Sequence, residues 1–150
     1  MINKPKIIKL NIEPDLDFRL IAIATSMNDY NLSWKINKSL DISLQRDEEL
    51  LVELENSKEK KAFSLYRCCE NSNGLRYVLV ANKSENGLLL RDLPNIDFFL
   101  KISGEIYDNE ENEIVSAIKN TEGIMIAYVL TKELLPNTQH KKFFTVFSTF

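Results

Sequence analysis

The stretch Ile96–Leu130, IDFFLKISGEIYDNEENEIVSAIKNTEGIMIAYVL, decides the reading of the fold. Its first part alternates Ile96, Phe98, Leu100 and Ile102 with Asp97, Phe99, Lys101 and Ser103. That is the period of a strand, whose successive side chains point to opposite faces. Asp108 then offers a helix cap, and Glu111 three residues on completes a capping-box spacing. Ile114, Val115 and Ile118 fall on one face of the helix that follows, and Gly123 closes it or the turn just beyond. Ile124 to Leu130 (IMIAYVL) is a second strand. The chain therefore closes on a β-α-β unit.

Upstream, Asp17 to Ser26 (DFRLIAIATS) is apolar on both alternating faces, as an interior strand requires. Asn28 and Asp29 supply capping side chains, and Leu32, Ile36 and Leu40 recur every four residues. This spacing predicts a helix over Asp29 to Leu40. Tyr30, Leu32, Trp34 and Ile36 also alternate, which keeps a strand as the competing reading. Glu49 to Glu55 reads as a strand, followed by a charged turn at Ser57 to Lys61. Ala62 to Glu70 and Leu75 to Asn82 flank Asn71-Ser72-Asn73-Gly74, a hairpin signal, and Asn86-Gly87 marks another reversal before Leu88-Leu89-Leu90. No Pro/Gly/Ser linker or repeat divides the chain. Residues 1–150 read as one α+β domain, with a mostly antiparallel sheet of about 5–7 strands, two main helices and the terminal β-α-β unit. Residues 1–16 are expected to be irregular, and 140–150 form an aromatic tail.

Composition removes most function classes. A chain of 150 residues buries roughly two thirds of its unfolded surface, so it needs no metal or disulfide to hold together. A net charge of −3 leaves no electrostatic footprint for nucleic acid or an anionic membrane. The four glycines, at 74, 87, 104 and 123, cannot be drawn into a phosphate-binding loop or a nucleophile elbow. His140 is the one histidine, in a polar connection that offers neither nucleophile nor orienting partner. Cys68 and Cys69 are adjacent, so a strand sends them to opposite faces, and two reduced thiols fit a cytoplasmic protein. The N-terminus lacks the apolar run of a secretory signal, and no window is long enough to span a membrane. No cofactor, metal site or catalytic residue is implied.

Leu88 to Gly104, LLLRDLPNIDFFLKISG, resembles a family of uncharacterised small proteins from Bacteroidota-type bacteria called IPExxxVDY after its motif. Aligned on the acid before the aromatic, Leu90 takes the Ile position, Arg91 the Pro and Asp92 the Glu. Ile96 takes the Val position, Asp97 the Asp and Phe98 the Tyr. Asp97 is identical, and Arg91 departs from the pattern. Asp29-Tyr30, Trp34, Asn37-Lys38, Asn82 to Leu89 and the closing β-α-β unit extend the likeness over Asp17 to Leu130. The resemblance implies a cytoplasmic setting and brings no activity, cofactor or catalytic residue.

Carboxylates are the remaining route to chemistry. Asp47-Glu48-Glu49 and Asp108-Asn109-Glu110-Glu111 read as solvated surface, the second favoured by the helix dipole. Asp92 and Asp97 are the candidate ligand contacts. Asp97, at the start of a strand among aromatic neighbours, either marks a ligand site or caps the Pro94-Asn95 turn. Lys58 to Lys61 with Tyr66, Arg67, Arg76 and Tyr77 is the only surface that suggests nucleic acid, and the acidic chain argues against it. In the tail, Phe143, Phe147 and Phe150 form a helical stripe, while Thr145 and Val146 favour a strand. So much apolar surface, Phe144 included, either docks on its own domain or builds a homodimer. The function expected is a non-catalytic binding or interaction module, with a protein or small-molecule partner. The alternative is a carboxylate-dependent enzyme, with or without a divalent metal.

Overall fold

β1 (Phe18–Thr25) is buried along almost its whole length, and the rest of the molecule is arranged around it. The computed structural model describes residues 18–53, 59–68, 73–85, 87–148 and 150. After β1 come α1 (Asp29–Leu40), β2 (Gln45–Arg46), β3 (Leu50–Glu53), β4 (Lys60–Phe63), β5 (Leu65–Cys68) and β6 (Arg76–Ala81). The chain continues through β7 (Lys83–Ser84), β8 (Gly87–Leu88), β9 (Phe98–Ser103), α2 (Asp108–Lys119), β10 (Ile124–Val129) and α3 (Asn137–Phe147). The main sheet has six strands in the order β10-β1-β9-β6-β5-β2, every neighbouring pair antiparallel. β9 and β10 thus run parallel to each other with β1 between them, so the closing unit is a split β-α-β. The fold is α+β, as expected.

Each face of the sheet carries its own core. Ile21 and Ile23 of β1 point to the side covered by α1 and α2, where they join Leu32, Ile36, Leu79, Leu100, Ile102 and Ile118. Leu20, Ala22 and Ala24 point to the other side, into a cluster with Phe63, Val80, Phe99, Phe143 and Phe147. The strict alternation of a strand is what divides one apolar run between two cores.

Burial resolves the ambiguity of the first helix. A strand would put Tyr30, Leu32, Trp34 and Ile36 on one face, yet only Leu32 and Ile36 are buried, while Tyr30 and Trp34 are exposed. Asn28 caps α1, its side-chain oxygen accepting from Asn31 N at 2.8 Å. At α2 the cap differs from expectation. Tyr107 is the capping residue, Asp108 already lies inside the helix, and Glu110 rather than Glu111 reaches back to the Tyr107 N–H at 3.3 Å. With the cap one residue earlier than expected, Glu111 falls one residue past the box position and pairs with Arg19 Nε at 3.3 Å. Gly123 closes the α2–β10 turn at φ +94°, a conformation that side chains with a Cβ rarely adopt.

Two strand expectations are corrected. Lys60 and Lys61, read as part of a turn, open β4 and pair with Glu53 and Val52. Residues 62–70, read as one strand, are interrupted at Ser64, so β4 pairs with β3 while β5 pairs with β6 and β2. Ala81 N donates to Ser64 O at 3.0 Å and so fixes the chain where it passes from one pairing to the other. The tail forms the helix α3, which lies on the second core. Phe143 and Phe147 are buried there, Phe147 edge-on to Phe99 with centroids 5.3 Å apart. These two rings face the protein's own sheet and offer no surface to a second copy. Phe150 is partly buried against the same cluster, and the Phe144 side chain lies outside the described residues.

Candidate functional site

Asp97 stands one residue before β9, where the ladder between β1 and β9 has run out of strand. Its main chain carries the pairing one step further, with Asp97 N donating to Ile23 O and Asp97 O accepting from Asn82 N, both at 2.9 Å. Its side chain does the same for the last residue of β1, Oδ2 accepting from Thr25 N at 2.8 Å. The other oxygen, Oδ1, meets Lys83 Nζ at 2.7 Å. Asp97 therefore closes the end of the central strand and holds a lysine. Asp92 has quite different surroundings, exposed on the turn at residues 91–92. Asp97→Asn keeps an acceptor for Thr25 N but removes the charge facing Lys83. We expect it to lower unfolding free energy by about 1–2 kcal/mol in urea titration, the scale of a hydrogen bond to a charged group.

Asn82, which no sequence motif singles out, organises the segment between them. It is fully buried, and its amide nitrogen donates to Leu93 O at 2.9 Å and Ile96 O at 2.8 Å. Its side-chain oxygen accepts from Leu90 N at 2.8 Å, and its own carbonyl accepts from Leu89 N at 2.7 Å. Residues 89–97 thus wrap around one asparagine. The only sequence signal for it is a polar residue ending the apolar run LRYVLVAN.

Lys83 leads from Asp97 to an open cleft of about 670 Å³ between the start of α1, β2, β4 and β7. Among the described residues, four acids line it, Asp29, Glu49, Glu59 and Glu85, together with four bases, Arg46, Lys60, Lys61 and Lys83. Arg46 is held at 3.2 Å from Asp29 and lies over the Tyr66 ring, while Lys61 reaches Glu59 at 3.5 Å. Ser84 Oγ donates to Ala62 O at 2.7 Å, tying β7 to β4 across the cleft wall.

The other sequence candidates are placed elsewhere. Asp47 pairs with Arg67 at 2.9 Å, and that guanidinium, with the Glu48 N–H, holds its carboxyl below the usual range. Tyr66 and Tyr77 are buried in the helix-side core, so they present no faces on which bases could stack. Cys68 is buried in the same core, and Cys69 lies outside the described residues. His140 Nε2 is 3.1 Å from Leu135 O. Among the described residues, no group of three His, Cys, Asp or Glu side chains could hold a metal ion, and no helix is long and apolar enough to cross a membrane.

Lys101 is the buried charge that strand alternation hides. It is 5% exposed, with Nζ 4.8 Å from the centroid of Phe18 and 5.1 Å from that of Phe150, and it donates to the Phe150 main-chain oxygen. Burial, with Arg67 and Arg76 on the same face, pushes its amine down to about 8. Between about pH 8 and 10.5 the unfolded chain holds a proton that the folded chain has released, so stability rises through that window. We expect Lys101→Met to stabilise the protein at pH 7 by about 1–2 kcal/mol, the lost ring-face contacts offsetting part of the relieved burial. The gap between variant and wild type should be widest below pH 8 and close by pH 10.5, as read from urea unfolding across that range.

No protein-family model matches the chain, and no curated protein matches its sequence.

Proposed function

We propose that the protein is a non-catalytic interaction module of the cytoplasm, and that the charged cleft is its recognition surface. The observation that carries this reading is the gathering of four acidic and four basic side chains around one concavity. Two of the bases are held in position by groups outside their own strands, Arg46 by Asp29 and Lys83 by Asp97. Side chains fixed before binding lose less freedom when a partner arrives, which favours affinity. Small-molecule pockets are mostly apolar and enclosed, whereas this cleft is open and charged, so a protein segment carrying both signs of charge suits it better. On this reading Asp97 is a positioning residue for Lys83 and Asp92 is solvated surface. The likeness of Leu88 to Gly104 to the IPExxxVDY family belongs to the same proposal; its segment is the one wrapped around Asn82, and it brings no activity.

The test is titration calorimetry at low salt with peptides of mixed Lys and Glu sequence, alongside a thermal-shift series with divalent metal ions, nucleotides and amino acids. The reading expects salt-sensitive peptide binding that is lost in Arg46→Glu and Lys83→Glu. Stabilisation by a divalent metal that disappears in Asp97→Asn would replace it with the carboxylate-enzyme alternative.

A further inference from the structure

The two edges of the main sheet are built differently. At one edge, β2 has only two residues, Gln45 and Arg46, both exposed, so it offers little to an incoming strand. At the other, β10 has six residues, Ile124–Val129 (IMIAYV), with no charge and no proline among them. Short length, charge and proline protect sheet edges from pairing, and β10 has none of these three; its one irregularity is a shift of register at Met125, which leaves Ile126–Val129 as the regular stretch of the edge. Among the described residues no strand lies on its outer side. Met125 and Ile126 are 67% and 52% exposed, which makes this edge apolar as well as open.

Which backbone groups face outward follows from the register. Leu130 N donates to Leu20 O at 2.8 Å, so residue 130 turns its polar groups toward β1. Alternation along the strand then directs those of Tyr128 toward β1 and those of Ala127 and Val129 away from it.

We propose that β10 pairs with β10 of a second copy of this chain, antiparallel about a two-fold axis at Ala127, joining two six-stranded sheets into one. Pairing centred there sets Ala127 opposite its own counterpart and Met125 opposite Val129. Ile126 then lies against the partner's Tyr128 as a closely spaced, non-hydrogen-bonded pair on one face, which covers the exposed isoleucine. An uncharged strand meets itself without like-charge repulsion. Glu122, just before each strand, keeps its own partner Lys35 at 3.3 Å, so the interface rests on the uncharged strand itself. A two-fold axis makes each contact occur twice, as an isologous interface requires. The aromatic tail plays no part in this interface, since Phe143 and Phe147 lie in the second core.

Sedimentation velocity and light scattering of the full chain over a concentration series test the proposal, with backbone hydrogen exchange as the second measurement. The expected mass is twice 17.4 kDa. The expected Kd is about 10 μM or tighter, with slow exchange at Ala127 and Val129. Ile126→Lys, at a position already half exposed, should weaken association at least about tenfold while the monomer keeps its wild-type circular dichroism. A monomer at every concentration overturns the proposal. If its Ala127 and Val129 amides are nonetheless protected, a segment of the same chain covers the edge. A dimer of unchanged strength in Ile126→Lys, with both amides exchanging freely, places the interface elsewhere and also overturns it.

Discussion

Asn82→Ala should lower the free energy of unfolding by about 4 kcal/mol, the largest loss expected from a single polar side chain in this protein. The truncation leaves three main-chain groups without their partner, namely Leu90 N, Leu93 O and Ile96 O. Asn82 itself is fully buried, and each stranded buried group adds roughly 1–3 kcal/mol. Water entering the vacated space would recover part of this, which keeps the figure toward the lower end of the sum. Asn82→Asp provides a matched control. It retains the acceptor for Leu90 N but turns a carboxylate toward two carbonyl oxygens, so it should be destabilised at neutral pH and recover as the pH falls and the acid protonates. Urea unfolding followed by circular dichroism measures both. A loss below about 1 kcal/mol for Asn82→Ala would mean that residues 89–97 are held by something other than this side chain.

Phe147→Ala should cost about 3–5 kcal/mol, the range for deleting a fully buried aromatic ring. The ring is 0% exposed and lies 5.3 Å from Phe99, 5.3 Å from Phe143 and 5.8 Å from Phe150, centroid to centroid. Its removal empties the middle of the cluster that fixes α3 to the sheet. Tilted and edge-on contacts of this kind add about 0.5–1.5 kcal/mol each beyond buried area. We expect lower stability in urea with the oligomeric mass unaltered, because the ring is turned toward its own domain. A change of mass with stability unaltered would show that the tail is an interface after all.

The parts of the fold that were legible in the sequence are those set by neighbours in the chain. α1 follows from the Asn28 cap and from Leu32 and Ile36 one turn apart, and the split β-α-β unit follows from clean changes of period between Ile96 and Leu130. What was not legible depends on distant partners. The run AFSLYRC has unbroken strand character, and its interruption at Ser64 comes from Ala81 across the sheet. The tail could be helix or strand by its own residues, and Phe18 and Phe99 decide the matter by offering a surface that α3 covers. That cover also explains Lys101. Alternation assigned it to the less apolar side of β9 with Asp97 and Phe99, a side that becomes a second core only once the tail docks.

The candidate site divides in the same way. Asp97 stands out in the sequence as an acid among aromatics, but its partners Thr25 and Lys83 are 72 and 14 positions away, and they decide that it closes a strand and holds a lysine. The cleft beyond Lys83 joins residues from the first helix and three strands, none of which forms a local motif.

The central claim, recognition of a charged segment at that cleft, is tested most directly by amide chemical-shift mapping on the labelled protein, titrated with a mixed Lys and Glu peptide and separately with magnesium. The account predicts peptide-induced shifts clustered at Arg46, Lys61, Lys83 and Ser84 that fade as salt is added. Peptide titration without shifts there, with magnesium instead moving Asp92 and Asp97, would contradict it.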